Sequence, residues 1–524
     1  MKVIVTDPID EWGKSILKDS GIDVVDISFK NRNKILKVLP EIDGWILRSG
    51  TKVTSDLLDK ATHLKVIGRA GVGVDNVDIH AATQRGVVVM NTPGVNTISA
   101  AEHTIALILT LARNVHEGYT SLREGKWNRH QLMGTELHDK TLGVVGLGKV
   151  GTAVIKRLNH FGMKILGYDP YIKQDHYELD YVEFAELDDV CRNSDIITLH
   201  IPETSTTKDL FDINRFKMMK SSALFVNCAR GGIIVEEDLR KALDENIIAG
   251  AAVDVFENEP AKDSPLLSAR NILFTPHLGA STREAKVGVS KVICSQIRDF
   301  LIDGNIENAI NIPIADLSLL KTLEPFLNLA EKLANMHQQL VPTLPERIIV
   351  VTQGTLKDVK LVTLAFLKGF LENIHGSSVN FVNAAAVAES HGIEVQETYS
   401  HGEGDYSNVI STNVSSGNYS LTIRGSLFSE KQPRIIYFDG FHLDLNPKGN
   451  MLFVYNKDVP GVVGKVGTFL GNHGVNIAGY QLSRKSDSHL AFGIIRLDEP
   501  LDEDDLQKLS QIEEIINVKQ LVLS

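Results

Sequence analysis

The chain has 524 residues, a net charge of −12, 43% hydrophobic and 23% charged residues, the make-up of a globular protein of about three or four domains. The acidic balance argues against nucleic acid or an anionic membrane as the main partner, so an anionic substrate must be met by local arginines. The start MKVIVTDP has no basic and long apolar leader, no run reaches membrane-spanning length, and Cys191, Cys228 and Cys294 are scattered; these features predict a reduced, cytoplasmic protein with no signal peptide, membrane span or metal site.

In chain order, apolar runs at Val3 to Val5, Asp23 to Ile27, Gly44 to Leu47, Lys65 to Ile67 and Val87 to Met90 alternate with helix-like stretches, which predicts a parallel α/β sheet. Two of the runs lead into Arg48 and Arg69, each beside glycines. Ligands of open α/β sheets sit beyond the carboxyl ends of strands, so both guanidinium groups are placed to meet an anion. After the turn cluster Asn91 to Gly94, Ser99-Ala100-Ala101-Glu102 reads as a capping box opening an apolar helix from Ala100 to about Ala112. That helix is expected to cross from an outer domain into the next. The basic, aromatic stretch Glu124 to His130 reads by itself as a solvated loop.

Leu142 to Gly151, LGVVGLGKVG, carries a sharper signal. An apolar strand runs into Gly146, Gly148 and Gly151 at G-x-G-x-x-G spacing, with a helix-like segment from Thr152 to Phe161 behind. Glycines at those positions permit a tight turn and the approach of a pyrophosphate to the N–H groups of a helix N-terminus. A second apolar run, Lys164 to Tyr168, ends at Asp169, the expected acceptor for the adenosine ribose hydroxyls. Pro170 and Tyr171 follow, with no arginine there to welcome a 2′-phosphate, so NAD is favoured over NADP.

Further strands are expected at Asp195 to Leu199 and Ala223 to Asn227, and three chemically loaded points at strand ends: Asn227 to Gly232, Ala252 to Pro260, and Thr275 to Gly279. Hydride transfer from a carbon bearing a hydroxyl needs a base near neutral pKa, a carboxylate to fix its tautomer, and a cation for the substrate carboxylate. His277, Glu259 and Arg230 fill those roles, whereas His103, His160 and His391 read as satisfied structural or surface residues. A second capping pattern, Ser281-Thr282-Arg283-Glu284, opens a helix that returns the chain to the first domain, and Asn311-Ile312-Pro313 ends the catalytic unit. Beyond it lies a separate unit with helical segments near Leu317 to Leu340 and a run from Val379 to Ala384 into a helix. The tail, with a strand at Asn450 to Asn456, a turn at Asp458 to Gly461 and a helix to Asn472, reads as βαββαβ, a ferredoxin-like order.

These residues resemble the D-isomer-specific 2-hydroxyacid dehydrogenases over about 1–313, through GRAGVGVDN, NTPGVNTISAAEH, GLGKVG, NCARGG, VDVFENEP and TPHLGAST. The tail resembles an ACT domain, with D-x-P-G at Asp458 and G-V-N-I at Gly474 to Ile477; the middle unit, with VNFVNA and HGIEV, resembles the intervening domain of the long members. The resemblance implies two Rossmann-like, doubly wound parallel-sheet domains, then an α+β intervening domain and a ferredoxin-like ACT domain. Their expected bounds are 1–97 with 285–313 for substrate, 98–284 for NAD, 314–445 and 446–524. It implies oxidation of D-3-phosphoglycerate to 3-phosphohydroxypyruvate, opening serine biosynthesis, with 2-oxoglutarate reduction as a side activity; the alternatives are another D-2-hydroxyacid or a nicotinamide-sensing scaffold. Arg230, Glu259 and His277 would be catalytic. NAD would be held by Gly146, Gly148, Lys149, Val150, Gly151, Asp169, Ile201, Pro202, Cys228, Ala229, Arg230, Asp254, His277, Gly279 and Ala280. Arg48, Arg69 and Asn96 would bind substrate, with Arg129 reaching a neighbouring subunit's site in a homodimer or homotetramer. Asp458 and Asn476 match positions that hold L-serine between paired ACT domains, although Asn456-Lys457 alters the pattern before Asp458. Lys149 stands where arginine is common, which keeps the charge but loses the bidentate fork.

Overall fold

The computed structural model describes residues 1–312, 319–375, 379–401, 406–429, 431–484 and 489–523. The first sheet is five-stranded and parallel, in the order Asp23–Asp26, Lys2–Val5, Gly44–Leu47, Val66–Arg69, Val88–Met90. The second has seven parallel strands, ordered Ile272–Phe274, Gly250–Val253, Leu224–Asn227, Ile196–Leu199, Thr141–Val145, Lys164–Tyr168, Val182–Phe184. Strands such as Gly44–Leu47, Ile196–Leu199 and Gly250–Val253 are buried throughout. Helices cover both faces of a parallel sheet, so its strands are continuous apolar runs and do not alternate.

Two long helices join these sheets. Thr97–Ala112 leads into the second sheet and packs against the helix Lys149–Leu158 and the strands Leu224–Asn227 and Gly250–Val253. Arg283–Asp303 returns to the first, packing on Glu11–Asp19 and on Val66–Arg69. Its N-cap is Thr282, whose Oγ1 accepts from the Ala285 N–H at 3.1 Å, and Gly304 stops it at φ +69°.

Two local expectations need correction. The crossing helix begins at Thr97, before Ser99 of the expected capping box, and the Ser99 hydroxyl instead pairs with the Thr282 hydroxyl at 2.8 Å. The cofactor helix begins at Lys149, directly after Gly148, because the extended backbone of Gly148 serves as its N-cap. The helical segments expected near Leu317 to Leu340 are Leu319–Thr322 and Glu324–Leu340, while Leu317, Pro313 and the junction at 314 lie outside the described residues.

In the middle unit a six-stranded mixed sheet, Arg347–Gly354 to Phe441–Leu445, is covered by Glu324–Leu340 and Val359–His375. The tail is an antiparallel sheet ordered Ile477–Arg484, Leu490–Leu497, Gly449–Lys457, Ile515–Leu523, with helices Val462–Asn472 and Glu503–Ser510. Middle and tail share one core: Phe438 of the middle sheet stacks on Phe492 of the tail with ring centroids 5.0 Å apart and meets Phe453 edge-on at 5.2 Å.

Candidate active site

The order of the second sheet reverses between Thr141–Val145 and Ile196–Leu199, the switch point at which such sheets bind ligands. The glycine loop leaves the first of these strands there. Gly146 turns at φ +100°, and a Cβ on Gly151 would lie 2.0 Å from the Gly146 carbonyl oxygen, so neither position accepts a side chain. At the end of the adjacent strand, Asp169 accepts from the Leu147 N–H through Oδ2 at 3.0 Å and from the Tyr171 N–H through Oδ1 at 2.9 Å. Its carboxylate is thereby fixed beside the loop. A cleft of about 1010 Å³ opens here, lined by Gly148, Lys149, Thr152, Tyr171 and Tyr177 among others. The residues fit a dinucleotide: free N–H groups and the positive end of a helix for the pyrophosphate, and an oriented acid for the ribose.

Ile201 and Pro202, Cys228 and Ala229, Asp254, and Gly279 and Ala280 follow the carboxyl ends of successive strands along the same edge. Burial pushes the Cys228 thiol up to about 12, so it is neutral at physiological pH. Asp254, 1% exposed, is the hub of this edge. Its carboxylate accepts from Thr275 Oγ1 at 2.5 Å, the Leu278 N–H at 2.7 Å, the Gly279 N–H at 2.8 Å and His103 Nε2 at 3.1 Å. Burial alone would raise its pKa, but the bonds from His103, Thr275 and Leu278 outweigh it and hold the carboxyl below its usual range.

His277 Nδ1 lies 2.8 Å from Glu259 Oε2, and Oε1 of the same carboxylate accepts from the Phe256 N–H at 3.2 Å. The carboxylate can only accept, so Nδ1 carries the proton and Nε2 is left as a base. Arg230 follows the strand Leu224–Asn227, with Nε on Asp75 Oδ2 at 3.0 Å and Nη1 on the Ala229 carbonyl at 2.7 Å. Its loop crosses the Phe256 segment so closely that a Cβ on Gly231 would sit 1.9 Å from the Phe256 carbonyl carbon. Glycine at 231 thus lets the arginine and glutamate loops meet.

A pocket of about 570 Å³ between the two sheets is lined by Arg48, Lys52, Arg69, Asn96, Arg230, Glu259 and His277 together. Arg69 is half-buried, and its buried Nε has no partner among the described residues. Burial first, then the charges of Arg230 and Arg48, lower its guanidinium to about 10, against weaker opposing pulls from Asp75 and Asp7. Three arginines repelling one another in one hollow form a site shaped for an anion.

Comparison with known proteins agrees with this geometry. Residues 105–279 match the model of the D-isomer specific 2-hydroxyacid dehydrogenase NAD binding domain, 322–439 that of the D-3-phosphoglycerate dehydrogenase intervening domain, and 450–514 that of the ACT domain. The D-3-phosphoglycerate dehydrogenase of Methanocaldococcus jannaschii is 40% identical over 521 residues, 99% of each chain, and that of Bacillus subtilis is 36% identical over 100% of this chain and 99% of its own. The chain belongs to the D-3-phosphoglycerate dehydrogenase family. Among solved structures, the NAD-dependent formate dehydrogenase of Staphylococcus aureus in complex with NAD is 30% identical with a TM-score of 0.55, and the D-lactate dehydrogenase of Escherichia coli 27% with 0.52. They cover 59% of this chain and 99% and 100% of theirs.

Elsewhere in this member of the phosphoglycerate dehydrogenase family, some expected residues stand apart. Arg129 is exposed on the excursion after the helix Val115–Arg123 and does not line the arginine pocket of its own chain. Asp458 and Asn476 lie at opposite ends of the tail sheet, Asp458 bound to Arg484 Nε at 3.3 Å and Asn476 Nδ2 donating to Asp498 Oδ2 at 2.7 Å. Sequence reasoning missed Asp75, which grips Arg230, and Asp7, whose Oδ2 accepts from the Arg48 N–H at 2.9 Å. Asp75 stood in the GRAGVGVDN motif with no role attached. The histidine at 103 is structural, as expected, but its partners are residues of the site.

Proposed function

We propose that this chain oxidises D-3-phosphoglycerate to 3-phosphohydroxypyruvate with NAD, the first step of the phosphorylated route to L-serine. The observation that carries this reading is the convergence of Arg48, Arg69 and Arg230 with the His277–Glu259 pair in one hollow. Two anionic groups on one small acid, a carboxylate and a phosphate, call for that many cations, and an unphosphorylated monoacid leaves most of them unpaired.

NAD supplies the hydride acceptor for the hydrogen on substrate C2. Arg230 holds the substrate carboxylate by its guanidinium fork, exchanging Asp75 for it, and polarises the C2 oxygen. His277 Nε2 takes the proton of the C2 hydroxyl, and Glu259 stabilises the imidazolium that results. Arg48, Arg69 and Asn96 hold the phosphate end. The cofactor set runs from the glycine loop and Asp169 to Gly279 and Ala280, and the four domains divide at the bounds expected from sequence, supported by the separate sheets.

The protein works in the cytoplasm as a homodimer or homotetramer, with Arg129 serving a neighbour's pocket. L-serine acts between paired ACT domains; Asp458 and Asn476 sit at opposite ends of one sheet, so one effector would use one residue from each subunit. No helix among the described residues is long and apolar enough to cross a membrane. Because the hollow suits any small dianion, 2-oxoglutarate reduction is the second reading.

The test is NAD reduction at alkaline pH with D-3-phosphoglycerate and a carbonyl trap, beside glycerate, lactate and 2-hydroxyglutarate. Selective turnover of the phosphorylated acid is expected. Preference for 2-hydroxyglutarate would install the second reading, and tight NADH binding without turnover of any acid would favour a sensing role.

A further inference from the structure

We infer that His103, outside the cluster of Arg230, Glu259 and His277, is a positioning residue for the reaction, acting through Asp254 on the backbone that carries His277. The inference rests on the reading of His277 as proton acceptor.

His103 Nε2 lies 3.1 Å from both Asp254 Oδ1 and Thr275 Oγ1. The Thr275 hydroxyl spends its one hydrogen on Asp254 Oδ1 at 2.5 Å, so the proton between His103 and Asp254 belongs to Nε2, and the imidazole is the donor. Asp254 in turn takes three successive amides of the catalytic loop: its carbonyl accepts from the His277 N–H at 2.8 Å, Oδ1 from Leu278 at 2.7 Å and Oδ2 from Gly279 at 2.8 Å. Both oxygens are committed, so the rotamer of this one buried carboxylate sets the path of Leu278 and Gly279, directly after His277, whose own N–H is held by the Asp254 carbonyl.

That path needs holding. His277 sits at φ +54°, in the left-handed region that a residue with a Cβ avoids and that persists where surroundings enforce it. Nε2 of His277 aims correctly only while this turn is kept. His103 and Thr275 are the side chains donating to Asp254 among the described residues. The helix bearing His103 touches the loop again at Ser99, whose hydroxyl pairs with Thr282 at 2.8 Å, and begins just after Asn96 of the arginine pocket. One helix thus sets the acid/base loop against the substrate pocket, with His103 as its fastening.

The experiment compares the parent with His103→Ala and with His103→Gln, which restores an N–H of similar reach. His103→Ala should lower kcat about 10- to 100-fold while the KM for D-3-phosphoglycerate moves less than about threefold. The primary isotope effect with C2-deuterated substrate should rise, His103→Gln should recover most of the rate, and amide exchange at Leu278 and Gly279 should quicken in the alanine variant without substrate. An active parent with an alanine variant of equal kcat overturns the proposal. So does a loss matched by fewer intact active sites at constant isotope effect, or unchanged exchange at Leu278 and Gly279. A parent that turns over no D-3-phosphoglycerate defeats the functional reading instead, and the exchange rates still decide whether His103 holds the loop.

Discussion

Replacing Arg69 by methionine should stabilise the ligand-free protein and weaken its hold on a phosphorylated substrate. The guanidinium is lowered to about 10 by burial, Arg230 and Arg48, in that order, a depression that corresponds to about 3 kcal/mol against its charged form. The pocket is open to water and salt, and screening leaves about 1–2 kcal/mol of that cost in the folded state. Both folded and unfolded chains are protonated at neutral pH, so the charge opposes folding throughout the physiological range. Methionine keeps the aliphatic stem and removes the repulsion, and thermal unfolding of the apo protein should shift up by about 2–4 °C per kcal/mol gained. In the complex the same charge is an asset. A hydrogen bond to a charged group contributes about 1.5–3 kcal/mol, so the KM for D-3-phosphoglycerate should rise about 10- to 150-fold. Lactate, which has no phosphate, should show little change. The assay is steady-state kinetics on both acids beside thermal unfolding with and without inorganic phosphate. A variant that melts earlier than the parent, or whose KM rises equally for both acids, refutes the argument.

His277→Ala should cut kcat by about 100- to 10,000-fold while NADH affinity by fluorescence titration stays within a few-fold; lost NADH binding would make the residue structural. Glu259→Gln presents an amide donor to Nδ1, favours the wrong tautomer and should cost about 100-fold or more in kcat at unchanged KM for NAD. Gly151→Ala places a Cβ 2.0 Å from the Gly146 carbonyl oxygen and should abolish the thermal shift produced by NAD, so a retained shift would count against the loop as pyrophosphate site. Burial lowers His200 to about 4 and His337 to about 3, the latter against a small opposing bond from Thr412. Below about 6.5 the unfolded chain therefore binds protons that the folded chain refuses, and each residue removes about 1.4 kcal/mol of stability per pH unit as pH falls toward its folded value. Urea midpoints at pH 7, 6 and 5 should show that slope, and His337→Gln should flatten it; an unchanged slope would remove His337 from the account.

How much of this was legible beforehand follows from the range of the forces involved. All five runs of the first unit became strands of one sheet; the inner ones, such as Gly44–Leu47, are buried on both faces and announce themselves by continuous apolar residues, whereas Asp23–Asp26 is a half-exposed edge strand. The glycine spacing, Asp169 and the arginine-bearing strand ends were readable for the same reason: turn chemistry and strand ends are local. Local rules failed where a distant partner competed. Ser99 has the form of a capping residue but spends its hydroxyl on Thr282, 183 residues away. His103 looked like any core histidine because Asp254 is 151 residues from it, and Asp75 meets Arg230 across 155.

The sequence by itself determined the order of units, the glycine turn after Thr141–Val145, the acid at the end of the next strand and the chemical types gathered at the strand ends. Those properties depend on a residue and its near neighbours in the chain. Tertiary structure decided that Arg48, Arg69 and Arg230 face one hollow, that Asp254 fastens the loop of His277 to the helix Thr97–Ala112, and that middle and tail share an aromatic core. Each of these is a contact between segments that only the crossing of helices over two sheets brings within a few ångströms, where desolvated charge and hydrogen bonding take effect.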